Sequence, residues 1–210
     1  MIEKIRNNIS KLFIATLLII MGVAGRLTLS ELLPDSPALY ITINGITQPM
    51  FMIDLFFIVA IISIISGLLL KSYYVFLIPI SIMLITDIII GNSYIFLFTW
   101  SGFAMIGMIF FILNKKNKLT IKKTPLIFGT GIASVLLYDL WTNFGCWLGW
   151  YPHNLSGLSL CYTLSLPFTL WHLLSTTIGI ALIVIPVIYI KEHKKINLNY
   201  SIKPLEKPMS

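Results

Sequence analysis

Apolar stretches long enough to cross a bilayer fill nearly the whole of this chain, and the acidic and basic residues that interrupt them gather toward one membrane face. A span needs about 20 apolar residues to cover roughly 30 Å of hydrocarbon as an α-helix. The runs are long and do not alternate, which excludes a closed barrel and leaves helices to satisfy the backbone. Composition agrees, because 57% hydrophobic residues against 11% charged would leave a soluble domain of 210 residues with too little polar surface. The expected fold is all-α: a polytopic membrane domain of six transmembrane helices in a bundle.

The spans are expected at about 12–29, 50–70, 72–90, 94–113 and 125–147. After a loop rich in aromatics, the stretch 158–190 is too long for one crossing, and Pro167 divides it into a short dipping segment and a sixth span starting near Phe168. Basic residues fix the orientation, since Lys and Arg of short loops stay on the cytoplasmic side. Lys4, Arg6 and Lys11 precede the first span, Lys71 separates the second from the third, and Lys115, Lys116, Lys118, Lys122 and Lys123 fill the fourth connection. Lys191, Lys194 and Lys195 follow the sixth. Six spans put every cluster on one side, with both termini cytoplasmic. The membrane domain is then 1–195, and 196–210, polar with Pro204 and Pro208, is a flexible cytoplasmic tail. The net charge of +7 is explained by topology and anionic lipid, without nucleic acid. Arg26 after Ala24 and Gly25 makes a poor cleavage context, so the first span is read as retained.

Ionisable residues inside the spans are costly and mark functional sites by default. At about 1.5 Å per residue, Arg26 lies about 21 Å above the cytoplasmic end of its span, Asp87 about 22 Å and Asp139 about 21 Å. Asp54 and His172 lie about one turn from the outer ends of theirs. Asn143 follows Asp139 by one helical turn, which places a carboxylate and an amide on one face, flanked by Tyr138 and Thr142. Trp147, Trp150, Tyr151 and His153 crowd the outer boundary, either as an interfacial belt or as a wall over a ligand. Bland readings stand beside these. Arg26 pairs with one Asp as a bridge between helices, and Asp54 caps a helix start, favoured there by the dipole.

Tyr138, Asp139, the run Thr142-Asn143-Phe144-Gly145, Trp147, Tyr151-Pro152, Gly157-Leu158, Cys161-Tyr162 and Pro167-Phe168 form the most distinctive pattern in the chain. With Thr86-Asp87 and Gly91, this pattern resembles a family of uncharacterised bacterial transport proteins that look like the substrate-binding S components of energy-coupling-factor transporters. The resemblance implies a six-helix bundle in the bacterial inner membrane that captures a vitamin-like solute or a metal from outside. It also implies a membrane coupling protein and ATPase subunits as partners. The chain has no phosphate-binding Gly-Lys-Ser/Thr loop, so ATP hydrolysis would fall to those partners. Ala15, Leu18, Ile19 and Gly22 match only in part the small-residue face that S components carry on their first span.

The expected function is solute binding and uptake, with Asp139 and Asn143 as polar anchors. Arg26, Asp87, His172 and Asp54 line the same site, and Trp147, Trp150 and Tyr151 close over it. The acidic excess favours a cationic or zwitterionic solute. The alternative is an accessory membrane subunit whose charges only bridge helices. No enzymatic constellation and no cofactor is expected, because His153, His172 and His193 lack ligand spacing. His172 with Asp87 or Asp139 is the one candidate metal pair. Cys146 and Cys161 flank the aromatic loop and suit either a disulfide or two buried thiols.

Overall fold

Helix formation follows the apolar runs, because a backbone in lipid must find its hydrogen bonds within the segment. The computed structural model describes residues 2–33, 38–70, 73–91 and 93–201, with side chains described from residue 8 to residue 193. Lys71 and the side chains of Lys4, Arg6, Lys194 and Lys195, used above for orientation, lie outside the described residues. So does 202–210 of the expected tail, whereas 196–201 continue the last helix.

The long helices are α1 (Ile2–Ser30), α3 (Tyr73–Ile90), α4 (Phe96–Asn117) and α5 (Thr124–Trp150), which follows a 3-10 turn at Ile121–Lys123. After α6 (Leu155–Leu164), α7 (Leu166–Gly179) runs through a π-turn at Ile180–Val184 into α8 (Ile185–Ser201). Five helical stretches among the described residues are long and apolar enough to cross a membrane: Asn8–Ser30, Tyr73–Ile90, Phe96–Asn117, Ile121–Trp150 and Leu166–His193. The chain is a multi-pass membrane protein.

The fold is mostly helical, in keeping with the expected all-α membrane domain, and the connection before the second apolar run adds a hairpin, β1 (Ala38–Ile43) and β2 (Ile46–Met52). Its two-residue loop, Asn44-Gly45, has φ of 51° and 80°. Positive φ at both central residues gives a turn whose twist matches that of the strands, and Asn-Gly is the pair that tolerates it. The second helix, α2 (Phe56–Leu69), starts after the hairpin rather than at Met50 and has only 14 residues, about 21 Å of rise.

A helix this short is served by its neighbours at both ends. The first is the Asp54 carboxylate, whose Oδ1 accepts the Phe56 N–H at 3.0 Å. At the other end the Leu68 carbonyl accepts from Asn114 Nδ2 at 2.9 Å and Lys191 Nζ at 2.8 Å. Between them α2 is the centre of the core, with Val59, Ala60 and Ile64 wholly buried. A Cβ on Gly67 would overlap the Gly107 carbonyl oxygen, so glycine is what lets α2 and α4 touch backbone to backbone.

The short segment foreseen before Pro167 is the helix α6, and the chain breaks at Ser165. Pro167 sits in the first turn of α7, where its missing N–H costs nothing. Asn154 caps α6 through its side chain, accepting the Gly157 N–H at 2.8 Å. Farther along, Ile185 N–H reaches back to the Ile180 carbonyl, the wide turn of a π-bulge, next to Pro186.

Candidate functional site

The α5–α7 contact brings together residues far apart in sequence. His172, buried on α7, places Nδ1 2.6 Å from Asp139 Oδ1 on α5 and Nε2 2.9 Å from Asp54 Oδ2 at the β2–α2 junction. Asp54 is held by its bond to the Phe56 N–H and by Trp171 Nε1, which donates to its backbone carbonyl at 3.1 Å. The Phe56 ring stacks on the imidazole at 4.0 Å between centroids, and Tyr138 meets it edge-on at 6.0 Å. The imidazole is thus fixed in its plane and bonded at both nitrogens. Asp139 Oδ2 is buried and has no hydrogen-bond partner among the described residues.

A cavity of about 300 Å³ lies against this triad. Its wall includes Asp54, Asp139 and His172, with Thr142, Asn143 and Ser165 as further polar groups and Tyr138, Tyr151 and Phe168 as rings. An apolar wall with a few convergent polar groups is the usual form of a small-molecule site. Asn143 Nδ2 donates to Ser165 Oγ at 2.8 Å, and Ser165 Oγ donates in turn to the Tyr162 carbonyl at 2.9 Å. These bonds tie α5 to the α6–α7 break and set one side of the cavity.

The model of a family of unknown function, DUF6580, matches residues 6–197. The chain belongs to the DUF6580 family. No curated protein and no solved structure matches it.

In this DUF6580 member the single site expected from sequence divides in two. Arg26 and Asp87 do not line the cavity beside His172. Arg26 Nη1 pairs with Asp87 Oδ1 at 2.6 Å and also donates to Thr86 Oγ1, while Trp100 Nε1 donates to Asp87 Oδ2 at 2.7 Å. This second cluster joins α1, α3 and α4. The two separate because Asp87 faces α1 and α4, whereas Asp139 faces α7.

The aromatic wall divides as well. Tyr151 lines the cavity, but Trp147 does not: its Nε1 donates to the Pro152 carbonyl at 3.0 Å. Trp150 is 56% exposed and packs edge-on against Tyr94 at 5.0 Å, away from the cavity wall. His153 binds the Leu148 carbonyl at 2.8 Å. His172 meets Asp139, not Asp87, and its two nitrogens point to carboxylates on opposite sides of the ring. Among the described residues no three His, Cys, Asp or Glu side chains are grouped to hold a metal ion. Cys146 and Cys161 are both free thiols and both line the cavity.

Sequence reasoning placed Asp54 and His172 at similar depth but did not join them to Asp139 alone. Phe56, Ser165 and Trp100 were missed. Phe56 follows Asp54 by two residues and Ser165 stands at the Pro167 break, yet neither residue type signals a site by itself.

Proposed function

We propose that this protein is a solute-binding and uptake component that takes a small cationic or zwitterionic solute into the cavity between α5, α6 and α7. The observation that carries the reading is Asp139 Oδ2, a buried carboxylate oxygen left without a hydrogen-bond partner on a residue of the cavity wall. A buried unsatisfied acceptor is costly, and a donor arriving with the solute would relieve that cost. The triad also carries more acid than base, which favours a positive group there. Asn143, Thr142 and Tyr151 would contact the rest of the solute.

In this reading the cavity faces outward and the lysine-rich end faces the cytoplasm, as in an S component of the bacterial inner membrane. α2 counts as the sixth crossing, since its ends meet His172 through Asp54 at one side and Lys191 at the other. A coupling protein with ATPase subunits would supply the energy. The accessory-subunit reading is favoured by one observation, the Arg26–Asp87 pair, in which both carboxylate oxygens already have partners.

The test is a thermal-shift screen of the purified chain in detergent against amines, amino acids, vitamins, nucleobases and divalent metals. A solute that binds only the folded state raises the melting temperature. The expected result is a shift with a cationic or zwitterionic solute that disappears in Asp139→Asn. A well-folded protein that responds to nothing, or whose response survives Asp139→Asn, would sink the assignment.

A further inference from the structure

Two hydrogen bonds meet on the His172 ring, and each needs its own hydrogen. A neutral imidazole has one N–H and one bare nitrogen, and an ionised carboxylate can only accept. With Nδ1 2.6 Å from Asp139 Oδ1 and Nε2 2.9 Å from Asp54 Oδ2, the three groups hold one proton beyond those of a neutral His and two carboxylates. Whether that proton rides on the ring or on a carboxyl, the net charge of the triad is −1. The titratable groups around the ring are Asp54 at the β2–α2 junction, Tyr138 and Asp139 on α5, and Cys146, Tyr151 and Cys161 across the cavity. α2 presents only the Phe56 ring. Among these the extra proton has one evident place, between His172 and its two carboxylates.

The two ends of the triad differ. Asp139 is buried, with 7% of its side chain exposed and Oδ2 without a hydrogen-bond partner among the described residues, whereas 37% of the Asp54 side chain is exposed; both residues belong to the cavity wall. The buried end lacks a donor that a ligand would bring; the more open end is the one placed to release a proton. We propose that the cavity exchanges its extra proton for a cationic solute, one for one, through Asp54–His172–Asp139. This inference rests on the solute-binding reading above.

The exchange balances without any redox step. A monocation enters the cavity and docks against the Asp139 carboxylate. The N–H bond at His172 Nε2 breaks, its electron pair stays on nitrogen, and the proton forms an O–H bond at Asp54 Oδ2. Asp54 then turns to water and loses that proton. His172 is left neutral, and its Nδ1–H still donates to Asp139 Oδ1. Counting the cation, the site carries −1 before and after. That constancy is the physical reason for the exchange, because a change of net charge at such depth is expensive.

The proton count tests it. The full chain in detergent is titrated calorimetrically with methylammonium, guanidinium and choline, each in two buffers of equal pH and unequal ionisation enthalpy, and the difference in heat gives protons released per cation bound. The expected count is about one in the wild type, by the hydrogen inventory of the triad. In Asp54→Asn it falls to about zero, because the amide supplies the second hydrogen itself and no extra proton is needed. The amide oxygen can still accept the Phe56 N–H, so α2 keeps its cap. Binding without release in the wild type, or equal release in Asp54→Asn, overturns the exchange and leaves the solute-binding reading intact. Failure of all three cations to bind overturns the cation reading and the exchange with it. Should Asp54→Asn not fold, the wild-type count alone decides.

Discussion

The two charge clusters within the bundle are built from the same residue types and are finished differently. Asp87 has Arg26 on one oxygen and Trp100 on the other, in a packed junction of α1, α3 and α4. Asp139 has His172 on one oxygen and, among the described residues, no hydrogen-bond partner on the other, beside a cavity of about 300 Å³. An arginine never gives up its proton in a protein, whereas an imidazole can exist with or without its second proton. The first cluster is therefore a fixed brace, and the second is a site that can change state. Completeness of hydrogen bonding, more than the presence of charge, separates the brace from the proposed site.

The comparison breaks first if the brace can be cut cheaply. Arg26→Met leaves the Asp87 carboxylate buried without its counter-charge and should cost about 3–5 kcal/mol, read as a large fall in melting temperature in detergent. The double variant Arg26→Met/Asp87→Leu should recover most of that loss, because removing both charges also removes their desolvation cost. If Arg26→Met alone melts like the wild type, the pair is not a brace.

Trp100→Phe sharpens the same point at a smaller scale. It deletes only the indole donor to Asp87 Oδ2, and single hydrogen bonds between membrane helices are worth about 0.6 kcal/mol and at most about 1.7 kcal/mol. A modest fall in melting temperature is expected, with solute binding untouched. Ser165→Ala addresses the other cluster. It frees the Asn143 amide from its partner, should cost about 0.6 kcal/mol by the same measure, and should alter solute affinity because Asn143 lines the cavity. Equal effects of the two variants on binding would erase the distinction between brace and site.

How much of this was legible depends on what each inference needed. Span positions follow from apolar length, which is local, and five of the six expected stretches are long apolar helices. The start of α2 was not legible, because Met50, Phe51 and Met52 extend the apolar run while belonging to a strand. Short apolar runs do not separate strand from helix. The hairpin turn did leave a signal in Asn44-Gly45, the pair suited to a two-residue loop. The pairing of charges was out of reach. His172 lies 33 residues from Asp139 and 118 from Asp54, and which helix faces meet is decided by packing across the bundle. Depth alone put Arg26, Asp54, Asp87, Asp139 and His172 in the outer half and could not assign them to two clusters.

The smallest expected effect falls on the residue whose sequence signal was most tempting. Trp150 follows the distinctive segment of α5 and has the type suited to a lid over a ligand, yet it is 56% exposed and its ring contact is with Tyr94. Tyr94 is itself anchored by donating its hydroxyl to the Gly145 carbonyl at 2.7 Å, so the ring it offers to Trp150 is already fixed. Trp150→Ala therefore removes one edge-on aromatic contact, about 0.5–1.5 kcal/mol at most and less at so exposed a position. Tryptophan at this depth suits the headgroup boundary, where an amphipathic ring anchors the end of a helix. The expected outcome is a melting temperature within a degree or two of the wild type and solute affinity within about twofold, which is under about 0.5 kcal/mol. Tyr151→Ala, one residue on and on the cavity wall, should weaken binding more. If Trp150→Ala weakens binding as much as Tyr151→Ala, the outer boundary closes over the cavity when solute is bound, and the site extends beyond the walls described here.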